Sequence, residues 1–156
     1  MLYAALETIH LLALIAWVGG MFFMLAVLRP ALGVLEGPSR LALMRAVMRR
    51  FFSIVSVAIG LILLTGLGML WLHHTALAAT GARFAMPLSW AVMIALGVVM
   101  IGIFEHLRGP LFKQMQAALD SGDVTSAAAL LAKIRGRVSI NLGLGVVVIA
   151  SMRLLG

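Results

Sequence analysis

The chain has 156 residues, 63% of them apolar and only 11% charged, with a formal net charge of +7. Soluble domains are roughly 45–50% apolar and about 25% charged, so this composition excludes a water-soluble globule and points to an integral membrane protein. Cysteine is absent, which rules out disulfides, thiolate metal sites and cysteine nucleophiles.

The N-terminal stretch MLYAALE carries no basic n-region and no small-residue cleavage site, so the first apolar segment is expected to be a retained helix. Four segments reach the length of about 20 mostly apolar residues that spans a bilayer: residues 5–28, 52–72, 88–106 and 138–155. Hydrocarbon offers the backbone no hydrogen-bond partner but itself, so each is expected to be a helix. The expected fold is all-α, a four-helix membrane bundle making one transmembrane domain over residues 1–156.

The first span opens with two ionisable residues, Glu7 and His10, on one helical face. Trp17, Met21 and Met24 follow His10 at offsets of 7, 11 and 14 and continue that face inward. The loop after it, 29–50, carries Arg29, Arg40, Arg45, Arg49 and Arg50. The 107–137 connection carries Arg108, Lys113, Lys133, Arg135 and Arg137, whereas 73–87 holds only Arg83 and the C-terminus only Arg153. Ten basic residues against two place both rich loops in the cytoplasm and both termini on the outer side. The positive charge is therefore topological, and no nucleic acid is called for.

LALMRAVMRR sets apolar residues at helical spacing beside arginines, as in an amphipathic helix lying at the headgroups before the second span. Pro110 is expected to break or kink the chain after the third span. LFKQMQAAL then reads as a short amphipathic helix ending near Asp120, Ser121 and Gly122, and Asp123 as the N-cap of a long helix running through SAAALLAKIRGR into the fourth span. Gly19 and Gly20, with Gly60, Gly66, Gly68, Gly97, Gly102, Gly143 and Gly145, are expected to admit close helix packing.

At about 1.5 Å of rise per residue, His10, Met69, His73, His74 and Met86 fall toward the outer surface, and Glu105, His106 and Asn141 toward the inner one. Ionisable groups inside spans are rare and usually face the bundle interior. His10 is either a hydrogen-bonded interfacial group or a ligand, and Glu7 either orients its ring or is simply solvated. His73 and His74 are either a solvated pair or contribute one inward ligand to the same site. Glu105 and His106, beside Arg108, read first as an interfacial charge network. Of eleven methionines, Met86, Met93 and Met100 are spaced by seven and line one face of the third span. Thioethers with imidazoles suit Cu(I), although Met is also ordinary packing material. There is no Ser-His-Asp set, no phosphate-binding glycine loop and no HExxH pair, so hydrolytic chemistry has no support.

The segment HLLALIAWVGGMFFMLAVLRPAL, with His10, Trp17, Gly19, Gly20, Phe22, Phe23, Arg29 and Pro30, resembles the CopD-like family of bacterial inner-membrane proteins, the copper resistance protein D domain. IFEHL, with His106, and the stretch 135–142 entering the fourth span extend the resemblance over nearly the whole chain. It implies a multi-pass protein of the bacterial inner (cytoplasmic) membrane concerned with copper resistance or uptake. A looser similarity is to the HemJ-type membrane proteins of haem synthesis, in which an early His ahead of a W-x-x-G segment binds haem; His10 corresponds to it here.

Three readings follow. In the first, His10, His73 or His74 and Met69 capture Cu(I) and the faces of Met21, Met24, Met93 and Met100 pass it toward His106, with Trp17, Glu7, Glu105 and Asn141 in supporting positions. A periplasmic copper-binding protein is then the natural donor, and a homodimer would widen the transport path. In the second, His10 with His73, His74 or Met69 ligates haem b for electron transfer or oxidoreduction. In the third, the bundle is an assembly subunit without a cofactor.

Overall fold

The computed structural model describes residues 1–81 and 86–155; Arg83 lies outside them. Every regular element among the described residues is a helix, and four helical stretches are long and apolar enough to cross a membrane. α1 runs Leu2–Phe23, and the chain stays helical beyond it through a π-turn (Met24–Leu28), a stretch at Arg29–Ala31 and a 3-10 turn (Leu32–Val34). Extended backbone at Leu35 and Glu36 then reverses the chain into α2, Gly37–Ala79. α3 is Leu88–His106, α4 is Phe112–Asp120, and α5 is Val124–Leu154.

Two local expectations need correction. The segment LALMRAVMRR is not a separate helix lying at the headgroups: it is the first part of α2, which is continuous over 43 residues. At 1.5 Å per residue this is about 65 Å, roughly twice the hydrocarbon thickness, so α2 overshoots any membrane it crosses. No Gly or Pro interrupts residues 39–59, and Leu, Ala, Met and Arg all favour helix. The apolar face of this extension, with Leu41 and Met48 buried, packs into the core cluster that also holds Ala127 and Ile134 of α5.

Pro110, expected to break or kink the chain, does not break the helical stretch. It sits in a π-turn, Leu107–Leu111, that joins α3 to α4. A proline lacks the N–H for the usual bond and its ring crowds the carbonyl four residues back; widening the turn removes both problems. Pro30 is preceded by a similar widening. In the two turns the Arg29 N–H reaches Met24 O and the Phe112 N–H reaches Leu107 O, each five residues back.

The α4–α5 connection forms as its residues dictate. Gly122 takes the left-handed φ of 76° that closes α4. The Asp123 carboxylate then accepts the Ser126 backbone N–H at 2.9 Å and caps α5. Hydrogen bonding from Ser126, through its side chain and then its backbone, holds the Asp123 carboxyl below the usual carboxylate range. Arg45 of α2 pairs with Asp120 at the end of α4, 2.6 Å apart.

α1 packs mainly along α2, and α5 packs along α3 and α4; α1 against α5 joins the two halves. At their meeting point the aromatic rings stack edge to face. Phe104 lies 6.1 Å from Trp17 and 5.7 Å from Phe52, and Phe52 lies 5.2 Å from Phe112. Such offsets suit the ring quadrupoles. Large apolar side chains such as Leu12, Ile15, Val57, Leu64 and Val98 point outward, an arrangement made for lipid.

Glycine admits close packing at only some of the expected positions. A Cβ on Gly145 would lie 2.9 Å from Val18 Cγ2 and 3.3 Å from Met100 Cε, and one on Gly20 would lie 2.7 Å from Phe51. Gly19, Gly60, Gly97, Gly102 and Gly143 have nothing within 4 Å and are not needed for packing within the chain. Gly145→Val is therefore expected to destabilise the bundle by about 1–3 kcal/mol through overpacking, and Gly143→Ala to change little, as thermal unfolding in detergent would measure.

Candidate functional site

His10 is half-buried between α1 and α2 and faces Thr65 and Gly66. Its Nδ1 lies 3.0 Å from Thr65 Oγ1. The Thr65 hydroxyl already donates its proton to the Leu61 carbonyl at 2.6 Å, so toward His10 it acts as acceptor. Nδ1 therefore carries the proton, and Nε2 keeps its lone pair. A neutral imidazole whose far nitrogen is held by a partner is the form in which histidine ligates metals. Gly66, without a side chain, lets the ring lie 3.5 Å from where a Cβ would be. Of the two readings of Glu7, orienting the ring or being solvated, its exposure fits the second, and Thr65 is the hydrogen-bond partner of His10.

The other outer candidates stand at different distances from Thr65 along α2 and beyond it. Met69 follows Thr65 by four residues on α2, hence on the same helical face, and is half-buried. His73 is eight residues beyond Thr65, about 12 Å further along the helix axis, and its ring sits edge-on to Trp90 of α3 at 5.0 Å. His74 is exposed. The sequence-based levelling of His10 with His73 assumed that α2 ends at the histidines, but it continues to Ala79.

Deeper in the bundle, Met21 and Met100 are almost wholly buried in the core cluster, with Met24 and Met93 packed against it, whereas Met86 is exposed ahead of α3. Trp17 and Asn141 are also buried, and among the described residues Trp17 Nε1 and both polar side-chain atoms of Asn141 have no hydrogen-bond partner. An unsatisfied buried amide costs about 1–3 kcal/mol. Asn141→Leu is accordingly expected to raise the unfolding temperature of the metal-free protein; a lower one would show that Asn141 holds a partner in solution.

At the arginine-rich end, Glu105 and His106 are both exposed and make no ion pair with Arg108. Arg108 instead donates to Ser56 Oγ of α2 at 2.6 Å. Two clefts open here. One, of about 460 Å³, is lined by Arg49, Ser53, Ser56, Arg108, Phe52 and Phe112. The other, of about 300 Å³, is lined by Met24, Met44 and Met48 and rimmed by Arg29, Arg40 and Arg135. Sequence reasoning missed Thr65, Ser56 and the Met44–Met48 pair. The i, i+4 spacing of the two methionines was a readable signal; a threonine within an apolar span was not.

Among the described residues no group of three or more His, Asp or Glu is placed to hold a metal ion. Any soft-metal site must draw on thioethers. Haem b fits poorly: bis-His ligation needs two imidazoles converging on one iron, and His10 and His73 are turned to separate partners on different helices.

The architecture and the lipid-facing surface define a multi-pass, all-helical membrane protein. The chain belongs to the copper resistance protein D (CopD) family, whose sequence model matches residues 45–155, most of the chain. The matched stretch contains His106 and Asn141 and begins beyond α1, so His10 lies outside it. No curated protein and no solved structure matches, and the HemJ-type similarity gains no support.

Proposed function

We propose that this copper resistance-related membrane protein carries Cu(I) across the bacterial inner membrane, with its arginine-rich end in the cytoplasm. The observation that supports this most is the setting of His10: Nδ1 lies 3.0 Å from the Thr65 hydroxyl, whose proton goes to the Leu61 carbonyl, an arrangement that leaves Nε2 for a ligand. Met69, one turn along the same face of α2, supplies a thioether at that level. Imidazole with thioether is a soft to intermediate donor set suited to Cu(I). Neutral ligands also avoid placing a fixed anion within the bundle, where charge is costly.

Inward passage would use Met21 and Met100, with Met93 alongside, and would leave through the cleft of Met24, Met44 and Met48. That exit replaces the one expected at His106, which is exposed and lines neither cleft. One chain offers a single narrow interior, so a homodimer, and a periplasmic copper-binding protein as donor, belong to this reading. The chemistry is carriage of an ion and needs no bond-breaking group.

The test is metal analysis with an absorption spectrum on protein purified from its native membrane under reducing conditions. Copper near one equivalent and no Soret band is the expected result. A Soret band without copper, or neither, would overturn the reading.

A further inference from the structure

The cleft between α2 and the α3–α4 junction sets two arginines and two serines over two aromatic rings. Arg49, Ser53 and Ser56 lie on one face of α2, at offsets of four and seven. Arg108 reaches across from the π-turn and is fixed by its bond to Ser56 Oγ, which in turn donates to the Phe52 carbonyl at 2.7 Å. Phe52 and Phe112, both buried and stacked edge to face, form a rigid floor. Among the described residues the only ion pair is Arg45 with Asp120, so the two guanidiniums share this cleft without a carboxylate. Like charges held together lack a counter-ion, and a guanidinium fork matches phosphate oxygens in geometry.

We propose that this notch binds a phosphate group, with Arg49 and Arg108 as the charge-bearing donors and Ser53 as an additional hydroxyl donor. The notch lies beside the lipid-facing surface, at the end of the bundle where basic residues collect. Its natural source of phosphate is therefore the headgroup of an anionic phospholipid, with free phosphate as the other source of the same chemistry. Basic pockets between helices at this level of a membrane suit such headgroups.

The proposal does not depend on the copper reading. It is tested on the purified full-length chain by native mass spectrometry with phosphatidylglycerol against phosphatidylcholine, and by thermal unfolding with and without inorganic phosphate. The variants are Arg49→Gln, Arg108→Gln and Arg137→Gln, the last a control for charge alone. Retention of phosphatidylglycerol is expected to fall roughly fivefold for each notch arginine removed, and to stay at the wild-type level for Arg137→Gln. Stabilisation by inorganic phosphate that Arg49→Gln abolishes, without a lipid preference, would support the site with free phosphate as its source. If Arg108→Gln fails to fold, Arg49→Gln decides, because Arg49 is exposed and its side chain makes no ion pair among the described residues. Equal loss in Arg137→Gln, or no lipid preference and no phosphate effect in the wild type, would overturn the proposal.

Discussion

Replacing His10 by Ala is expected to weaken Cu(I) binding about a hundredfold or more, because losing a ligand should exceed the 10–100-fold typical of losing a partner that orients one. Thr65→Val keeps the shape of the side chain and removes the hydroxyl that accepts from Nδ1. Its expected effect is about tenfold, the lower figure because the ligand itself stays in place. His74→Ala, at an exposed position, should leave affinity unchanged. Competition against a chromogenic Cu(I) chelator under reducing conditions reads all three. Thermal unfolding of the same samples separates ligand loss from misfolding, since the His10–Thr65 bond contributes only about 0.6 kcal/mol on average for such contacts in membranes. Equal affinities for wild type and His10→Ala would remove His10 from the site.

The largest effect on stability is expected at Phe104. Its ring is 1% exposed and stands edge-on to both Trp17 and Phe52. Truncating a buried Phe to Ala in water costs about 3–5 kcal/mol. In a bilayer the transfer part of that cost shrinks, because lipid tails are as apolar as the core. The lost dispersion contacts and the cavity remain. Phe104→Ala is therefore expected near the low end, about 3 kcal/mol, and Phe104→Leu well below it. Unfolding of the two variants in detergent would measure the difference. A loss under about 1 kcal/mol for Phe104→Ala would mean that the aromatic stack does not hold the two halves together.

The fold was largely legible because its signals are strong and local. Four apolar stretches, the Asp123 cap and the helix end near Gly122 follow directly from hydropathy and turn chemistry, and each appears where the residues place it. Hydropathy marks where a helix is greasy, however, and not where it stops. That is why α2 was cut short at both ends and its first turns laid at the headgroups. Pro110 shows a related limit: a proline bars the regular α-turn and so signals a break or a kink, and here a wider turn accommodates it without ending the helix.

The site was legible in part. His10 stood out because an imidazole within an apolar span demands a partner. Which partner it has depends on how α1 and α2 slide against each other, and no single-helix pattern encodes that register. Thr65 was invisible for the same reason: a threonine bonded to its own helix is commonplace, and only the fold brings His10 to it. The Met24, Met44 and Met48 cleft likewise exists only because the long α2 lies beside the end of α1.

The central claim is carriage of Cu(I) through the His10 level of the bundle. Its most direct test is uptake of Cu(I) into proteoliposomes containing a Cu(I)-specific fluorescent indicator, comparing wild type with His10→Ala at matched protein content. Saturable filling in the wild type, lost in His10→Ala, is the predicted result. Equal filling by both proteins, or none above protein-free liposomes, would contradict it.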